Sequence, residues 1–198
     1  MATPDDSTDD IFLPGGRLRL DLLTSSTVEA LTEAIRLAQE TRWDMVRSPH
    51  VFMGLLARPD RSVCLWGQRL QADLPWLLNQ FQDLFHQEDG EVEAFLLLNR
   101  EFLSDNVIRL LREARCRAGE HSRQQITPMD MLISLLTASK SIVAECFEKI
   151  GVTAAKLTEQ AVIAEHTSAT SEANEATDRR SAQNLTTDST DGTDKRRE

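Results

Sequence analysis

The sequence predicts an all-α protein in which two copies of one four-helix unit form a single domain. Two observations carry this prediction: apolar residues recur at helical spacing through most of the chain, and the same apolar pattern returns 80 residues later. The chain has 198 residues and is 40% hydrophobic, which suits one well-packed domain of about 150 residues with polar tails. We therefore expect about eight helices in two pseudo-symmetric repeats.

The helices of the first unit are predicted from apolar spacing and from residues that favour helix ends. They cover about residues 27–41, 49–57, 62–70 and 74–85. Apolar residues nearly encircle the second helix, so we expect it at the centre of the core. On the fourth helix, the side chains predicted to face inward are Trp76, Leu77, Phe81 and Leu84.

The second unit is predicted from a comparison of the chain with itself. One shift of 80 residues aligns apolar and small residues across four helices and their loops, and the aligned pairs include Leu23 with Leu103, Thr24 with Ser104, Val28 with Ile108, Leu31 with Leu111, Ala34 with Ala114, Ala38 with Ala118, Val46 with Ile126, Leu55 with Leu135 and Leu77 with Leu157. Any two amphipathic helices can be slid until their apolar faces agree, but chance would match one helix rather than four. The pattern therefore indicates a duplication.

The two copies differ in polar character at a few positions. His50 stands where the second copy has Asp130, and Trp43 stands where it has Arg123. Their cores match while these positions do not, so we expect any binding site to be asymmetric.

The domain boundaries are predicted from composition. Residues 1–16 are expected to be a flexible acidic segment, and residues 17–164 to be the double-repeat domain, with repeats at about 19–85 and 101–164. Residues 165–198 are rich in Thr, Ser, Asp, Glu and Arg and contain almost no large apolar side chain. We expect this tail to be disordered, because it offers too little apolar surface to offset the entropy of ordering.

Composition also argues against several classes of partner and site. The formal charge of −10 and the lack of a basic cluster disfavour nucleic acid and anionic membranes as partners. No apolar run approaches the roughly 20 residues of a membrane span, and no signal-like segment opens the chain, so a cytoplasmic location is expected. Cys64, Cys116 and Cys146 are too few and too scattered for a disulfide framework and are expected to be buried thiols.

The histidines and cysteines have no spacing typical of a metal site, and no cysteine has a recognisable base partner. No catalytic residue, metal or cofactor is therefore predicted. His50 invites a metal or catalytic role, but a capping or packing contact in the first turn of a helix is the favoured interpretation.

Two motifs occur once in each copy. Each copy opens with a Leu-Thr or Leu-Ser pair, followed by a helix with a leucine and two alanines at fixed spacing: Leu23-Thr24 with Leu31, Ala34 and Ala38, and Leu103-Ser104 with Leu111, Ala114 and Ala118. The second motif spans residues 46–56 and 126–136 and includes the start of the second helix of each copy. These motifs resemble the double Clp N-terminal domain at the front of the ClpA, ClpB and ClpC unfoldases, over Arg19 to about Ala164.

One feature of the unfoldases is missing. Their ATPase modules need a glycine-rich loop containing Gly-Lys to hold phosphate, and no Gly-Lys pair occurs in this chain. The chain is therefore expected to be a free-standing N-domain or a fragment of a longer protein, and not an enzyme.

The resemblance implies a monomeric binding module of the Clp chaperone and protease system. Its partners would be unfolded or client protein segments, a Clp adaptor, or a Clp ATPase or protease. One hypothesis is that it binds unfolded segments or an adaptor in a groove between the repeats. The alternative is a structural accessory subunit that docks on a Clp protease or unfoldase ring.

The resemblance also implies which residues border the groove. Thr24 matches the threonine that borders the groove in ClpB-like domains, although an N-cap role is favoured and compatible. Asp105 and Asn106 correspond loosely to the acidic groove residues of the family. Leu96 and Leu97, in the connector between the copies, are expected to line the same groove.

Overall fold

The computed structural model describes residues 11–88 and 95–186, with side chains as far as residue 171. Its described part contains eight α-helices, which are α1 (Ser25–Glu40), α2 (Ser48–Ala57), α3 (Arg61–Arg69), α4 (Leu74–Phe85), α5 (Asp105–Glu120), α6 (Pro128–Thr137), α7 (Ile142–Lys149) and α8 (Ala154–Thr186). The described residues form isolated β-bridges but no β-sheet. The all-α prediction is confirmed.

The backbone repeats with the same period as the sequence. The bounds of α1 and α5 are 80 residues apart, and so are the bounds of α2 and α6. Left-handed backbone recurs at the same shift, with φ of 63° at Arg42 and 57° at Ser122, and 54° at Gln71 and 84° at Gly151. Since turns tolerate insertions more readily than helices do, this agreement supports a duplication that kept its loops.

The two repeats interlock through their opening segments. Leu23 forms a parallel bridge with Ile126, and Val46 forms the equivalent bridge with Leu103. The N–H of Thr24 donates to the Ile126 carbonyl at 3.1 Å, and the corresponding bond in the other direction is 3.0 Å. Each repeat therefore supplies hydrogen-bond partners that the other needs, which fixes their relative position.

One core serves both repeats. The rings of Phe52 and Phe147, from different repeats, pack edge to face with centroids 5.9 Å apart, in a geometry that aromatic pairs prefer. The indole N–H of Trp66 donates to the Leu157 carbonyl at 3.1 Å across the same boundary. Almost all of α2 is buried, as its apolar composition predicts.

Small residues allow α1 and α2 to approach closely. A methyl group added to Gly54 would lie 2.2 Å from the Ala30 carbonyl oxygen. This glycine is therefore required by the helix contact rather than by its backbone angle.

The structure corrects both predicted domain boundaries. Residues 1–10 lie outside the described residues, but Ile11 and Phe12 are buried in the core, so the segment expected to be flexible through residue 16 joins the fold earlier. At the other end, α8 continues through Thr186. Glu165 and Ser168 are buried, so the prediction of disorder from residue 165 is wrong for this stretch, while residues 187–198 lie outside the described part.

The burial of five side chains was also predicted wrongly, and the repeat explains two of these errors. Trp76 is 58% exposed and matches Lys156 of the second repeat, so its position on the fourth helix faces solvent. Cys116 is exposed and matches Arg36, an exposed residue on α1. Leu84 is 61% exposed as well. Cys64 and Cys146 are half-buried rather than buried.

Candidate functional site

The repeats diverge most at one group of four equivalent positions. The first repeat has apolar or aromatic residues there and the second has charged residues, in the pairs Leu37 and Arg117, Trp43 and Arg123, His50 and Asp130, Phe85 and Glu165. In the first repeat the Trp43 and His50 rings meet edge to face with centroids 5.7 Å apart. The Trp43 indole N–H donates to the Phe85 carbonyl at 2.7 Å.

His50 is held by a hydrogen bond at each ring nitrogen. Its Nδ1 accepts from the N–H of Arg47 at 3.0 Å, and its Nε2 lies 3.3 Å from the Thr41 hydroxyl oxygen. Because Nδ1 accepts, the ring proton sits on Nε2. Burial, and then the Arg47 charge, lower the pKa of His50 to about 4, so the ring is neutral at physiological pH. The capping interpretation of this residue is confirmed.

The second repeat fills the equivalent space with an ionic quartet of Arg117, Arg123, Asp130 and Glu165. Asp130 pairs with both arginines, and Glu165 does the same. The other oxygen of Asp130 accepts from the N–H of Thr127 at 2.9 Å, which is the cap that His50 provides in the first repeat. The four charges are therefore paired with one another, although Arg117 Nε, Arg123 Nε and Glu165 Oε1 are buried without a hydrogen-bond partner among the described residues.

The first repeat instead opens onto a cavity of about 300 Å³ between the repeats. We call it the inter-repeat cavity, and it is lined from the first repeat by Trp43, Arg47, Ser48, Pro49, His50 and Phe85, and from the second by Asn106, Lys140, Ile142 and Glu145. Its aromatic and aliphatic walls with a few polar groups are typical of a binding site for a large apolar side chain.

Charged groups stand at the rim of the inter-repeat cavity. The Arg47 guanidinium lies 4.3 Å from the centroid of the Trp43 ring, in a cation–π contact. Lys140 and Glu145 are exposed on the opposite side. Within the described residues, Arg47, Lys140 and Glu145 form no ion pair.

Thr24 lies elsewhere, in an open cleft of about 680 Å³ that also includes Asp21, Arg115 and Gln125. Its hydroxyl oxygen accepts from the N–H of Thr27 at 3.3 Å, so the predicted N-cap role is confirmed. A role for Thr24 in binding stays a prediction.

The remaining predicted site residues do not share one place. Asp105 and Asn106 are exposed in the first turn of α5, where both line another open cleft with Met45, and Asn106 also lines the inter-repeat cavity. Leu96 is 4% exposed and belongs to the core, while Leu97 is 60% exposed. The predicted groove of five residues is therefore not assembled, and the part of each in binding stays a prediction.

Sequence analysis did not identify Lys140, Ile142 or Glu145, since no motif marks them. The differences between copies at Trp43 and His50 were the signal that pointed to this region, because both residues line the cavity.

Within the described ranges no group of three or more His, Cys, Asp and Glu side chains is arranged to hold a metal ion. Among the described helices none has the length and apolar character needed to cross a membrane.

Comparisons with known proteins give the family of part of the chain and the fold of most of it. Residues 102–191 match the family model described as the Clp repeat (R) N-terminal domain. No curated protein sequence matches the chain.

Solved structures of similar fold include N-terminal domains from plant, fungal and bacterial proteins. The N-terminal domain of the ClpD chaperone from Arabidopsis thaliana has a TM-score of 0.58 at 17% identity, over 74% of this chain and 96% of that one. The Hsp104 N-terminal domain from Candida albicans has a TM-score of 0.58 at 12% identity, over 71% and 89%.

The N-domain of ClpV from Vibrio cholerae has a TM-score of 0.52 at 18% identity, over 75% of this chain and 90% of that one. At these identities the likeness concerns the fold. Residues 102–191 are therefore similar to the Clp repeat (R) N-terminal domain, and the described part as a whole has the fold of the Clp N-terminal domains.

Proposed function

We propose that this chain is a non-enzymatic protein-binding module of the Clp chaperone and protease system. It binds an exposed apolar segment of an unfolded polypeptide, or of an adaptor, in the inter-repeat cavity. The fold supports the first statement, because it is the fold of Clp N-terminal domains. The cavity supports the second.

The observation that carries the proposal is the chemical contrast between equivalent positions of the two repeats. The ionic quartet occupies these positions with paired charges in the second repeat, whereas in the first repeat Trp43, His50 and Phe85 stand beside an open cavity of about 300 Å³. Desolvating an apolar side chain against these rings contributes about 1.5–3 kcal/mol when burial is complete. Such a contact is weak alone, so binding in the micromolar range or weaker is expected.

The experiment measures binding of a fluorescein-labelled, reduced and carboxymethylated α-lactalbumin, which is permanently unfolded, by fluorescence anisotropy. Ile142 lies at the cavity and is 41% exposed, so Ile142→Glu should weaken binding at least tenfold, since the carboxylate must be desolvated when an apolar segment enters. Glutamate in the first turn of α7 is compatible with that helix.

Ile150→Glu is the matched control. Ile150 is 68% exposed at the other end of the same helix and does not line the cavity, so this variant should bind as the parent does. Equal binding by the parent and by Ile142→Glu would contradict the proposed site, and no binding by any of the three proteins would contradict the proposed function.

A second candidate function is that of an accessory subunit that docks on a Clp protease or unfoldase ring. The observation in its favour is a separate set of exposed apolar residues in two neighbouring segments, with Phe95 80%, Leu97 60% and Leu13 46% exposed. The segments are joined where the N–H of Leu18 donates to the Leu98 carbonyl at 3.0 Å. Stoichiometric co-purification of a Clp ring with the native chain would favour this candidate, whereas a mixture of clients would favour the peptide-binding module.

A further inference from the structure

We propose that the inter-repeat cavity selects client segments in which acidic residues adjoin a large apolar side chain. This inference rests on the proposed function, because it names the class of peptide that the cavity would take. It concerns the rim of the cavity rather than its walls.

The walls of the cavity determine the preference for a large apolar side chain. Trp43 and Phe85 on one side and Ile142 on the other present rings and a branched aliphatic chain to the cavity. His50 adds an imidazole that both of its hydrogen bonds hold in place. These groups favour one or two large apolar side chains and offer no fixed charge deep in the cavity.

Charged residues at the rim of the cavity determine the preference for acidic residues in the client. Arg47 and Lys140 are exposed cations on opposite repeats, and no described residue forms an ion pair with either. Among the described residues of the lining, Glu145 is the one acidic side chain, so with neutral His50 these residues carry a net charge of +1 (two cations less one carboxylate). An acidic residue next to the buried apolar side chain would meet these two cations.

The backbone at Lys140 supports a specific role for its side chain. Its φ is 61°, a left-handed conformation that is costly for a residue other than glycine. The other non-glycine residues with left-handed backbone, Arg42, Gln71 and Ser122, each have a left-handed counterpart in the other repeat. The counterpart of Lys140 is Asp60, whose φ is −77°. The strained turn is therefore peculiar to the second repeat, and it presents a cation at the cavity. Strain that the fold does not need elsewhere is a mark of function.

The chain's net charge of −10 repels an acidic client. The electrostatic field of the whole chain must therefore be compared with that of the cations at the cavity. At physiological salt the screening length is about 8 Å, which means that distant carboxylates contribute little at the cavity. Arg47 and Lys140 lie within the lining itself and act at contact distance. The local cations should therefore decide the preference, and it should weaken as salt rises.

The experiment compares two fluorescein-labelled peptides by fluorescence anisotropy, Gly-Ser-Leu-Phe-Asp-Asp-Gly-Ser and the same sequence with Lys-Lys in place of Asp-Asp. At about 150 mM salt the acidic peptide should bind roughly tenfold more tightly, and at about 1 M, where the screening length is about 3 Å, the ratio should approach one. Lys140→Asn should reduce the ratio about threefold, because asparagine tolerates left-handed backbone but carries no charge. Glu145→Gln should raise the affinity for the acidic peptide.

Lys149→Asn is the matched control, since it makes the same change in net charge at the exposed far end of α7. It should leave the ratio unchanged. If both peptides bind the parent equally and Ile142→Glu abolishes both, the acidic preference is wrong while the proposed function stands. If Lys149→Asn lowers the ratio as much as Lys140→Asn does, the preference comes from the overall field and the assignment to the rim is overturned. If neither peptide binds, the proposed function fails.

Discussion

His50 and Asp130 show how one structural task can be met by different side chains. Both stand at the third position of an equivalent helix, and both accept a hydrogen bond from the backbone three residues earlier, at 3.0 Å and 2.9 Å. The task is to satisfy a backbone N–H that the helix leaves without a partner. Asp130 does this as part of a charged group, whereas His50 does it as a buried neutral ring beside a cavity.

The buried state of His50 makes stability depend on pH. Its pKa is lowered to about 4 in the folded protein from about 6.5 in the unfolded chain, so the unfolded chain binds more protons between these values. The stabilisation is complete above pH 6.5 and is lost as pH falls toward 4. We expect the free energy of unfolding to fall by about 2 kcal/mol between pH 7.5 and 5, measured by urea denaturation.

His50→Gln should remove this slope, since glutamine at the same position can accept the Arg47 N–H without titrating. His166→Gln, on an exposed part of α8, should keep it. The acidic side chains whose pKa is lowered, Asp21 and Glu33, lose their contribution only at lower pH. A slope that survives in His50→Gln would refute the assignment.

At the scale of the element, sequence patterns predicted the helices well and their environment less well. The bounds of α1 and α2 follow from capping residues and apolar spacing, which are local features. Where α8 continues beyond residue 164, Glu165 meets two arginines from the α5 region, one of them 48 residues away along the chain. Apolar content cannot reveal such a contact, because here paired charges rather than apolar surface accompany the burial.

The ionic quartet should respond differently to single and to concerted changes. Asp130→Ala leaves Arg117 and Arg123 with Glu165 as their only quartet partner, and we expect a cost of about 3–5 kcal/mol in the free energy of unfolding. Glu113→Ala breaks an exposed pair with Arg109 and should change stability by less than about 0.5 kcal/mol.

The informative comparison is the concerted change of the quartet to the residues of the first repeat, Arg117→Leu, Arg123→Trp, Asp130→His and Glu165→Phe. It should cost less than Asp130→Ala alone, because no buried charge is left without a partner. Urea denaturation measures all three proteins. If Asp130→Ala lowers the free energy of unfolding by no more than Glu113→Ala does, the quartet does not act as a buried network.

At the scale of the whole molecule, the duplication explains why the scaffold was predictable and the candidate site was not. The period of 80 residues fixes the helices, the left-handed turns at Arg42 and Ser122, and the paired bridges between repeats. The cavity arises where the copies differ, and its second wall comes from Lys140, Ile142 and Glu145, which no periodic pattern marks. The fold thus follows from the residues that the two repeats share. The proposed binding site follows from the residues at which they differ.

The three tryptophans allow the central claim, that client segments enter the inter-repeat cavity, to be tested in one titration. Trp43 lines the cavity, Trp66 is buried in the shared core, and Trp76 is 58% exposed on α4. The measurement is a ¹⁵N–¹H NMR titration of the indole signals with the Leu-Phe-Asp-Asp peptide, each signal being assigned by a Trp→Phe variant. We predict a saturable shift of the Trp43 signal while the Trp76 signal stays in place. A saturable shift of Trp76 with an unchanged Trp43 signal would contradict the claim.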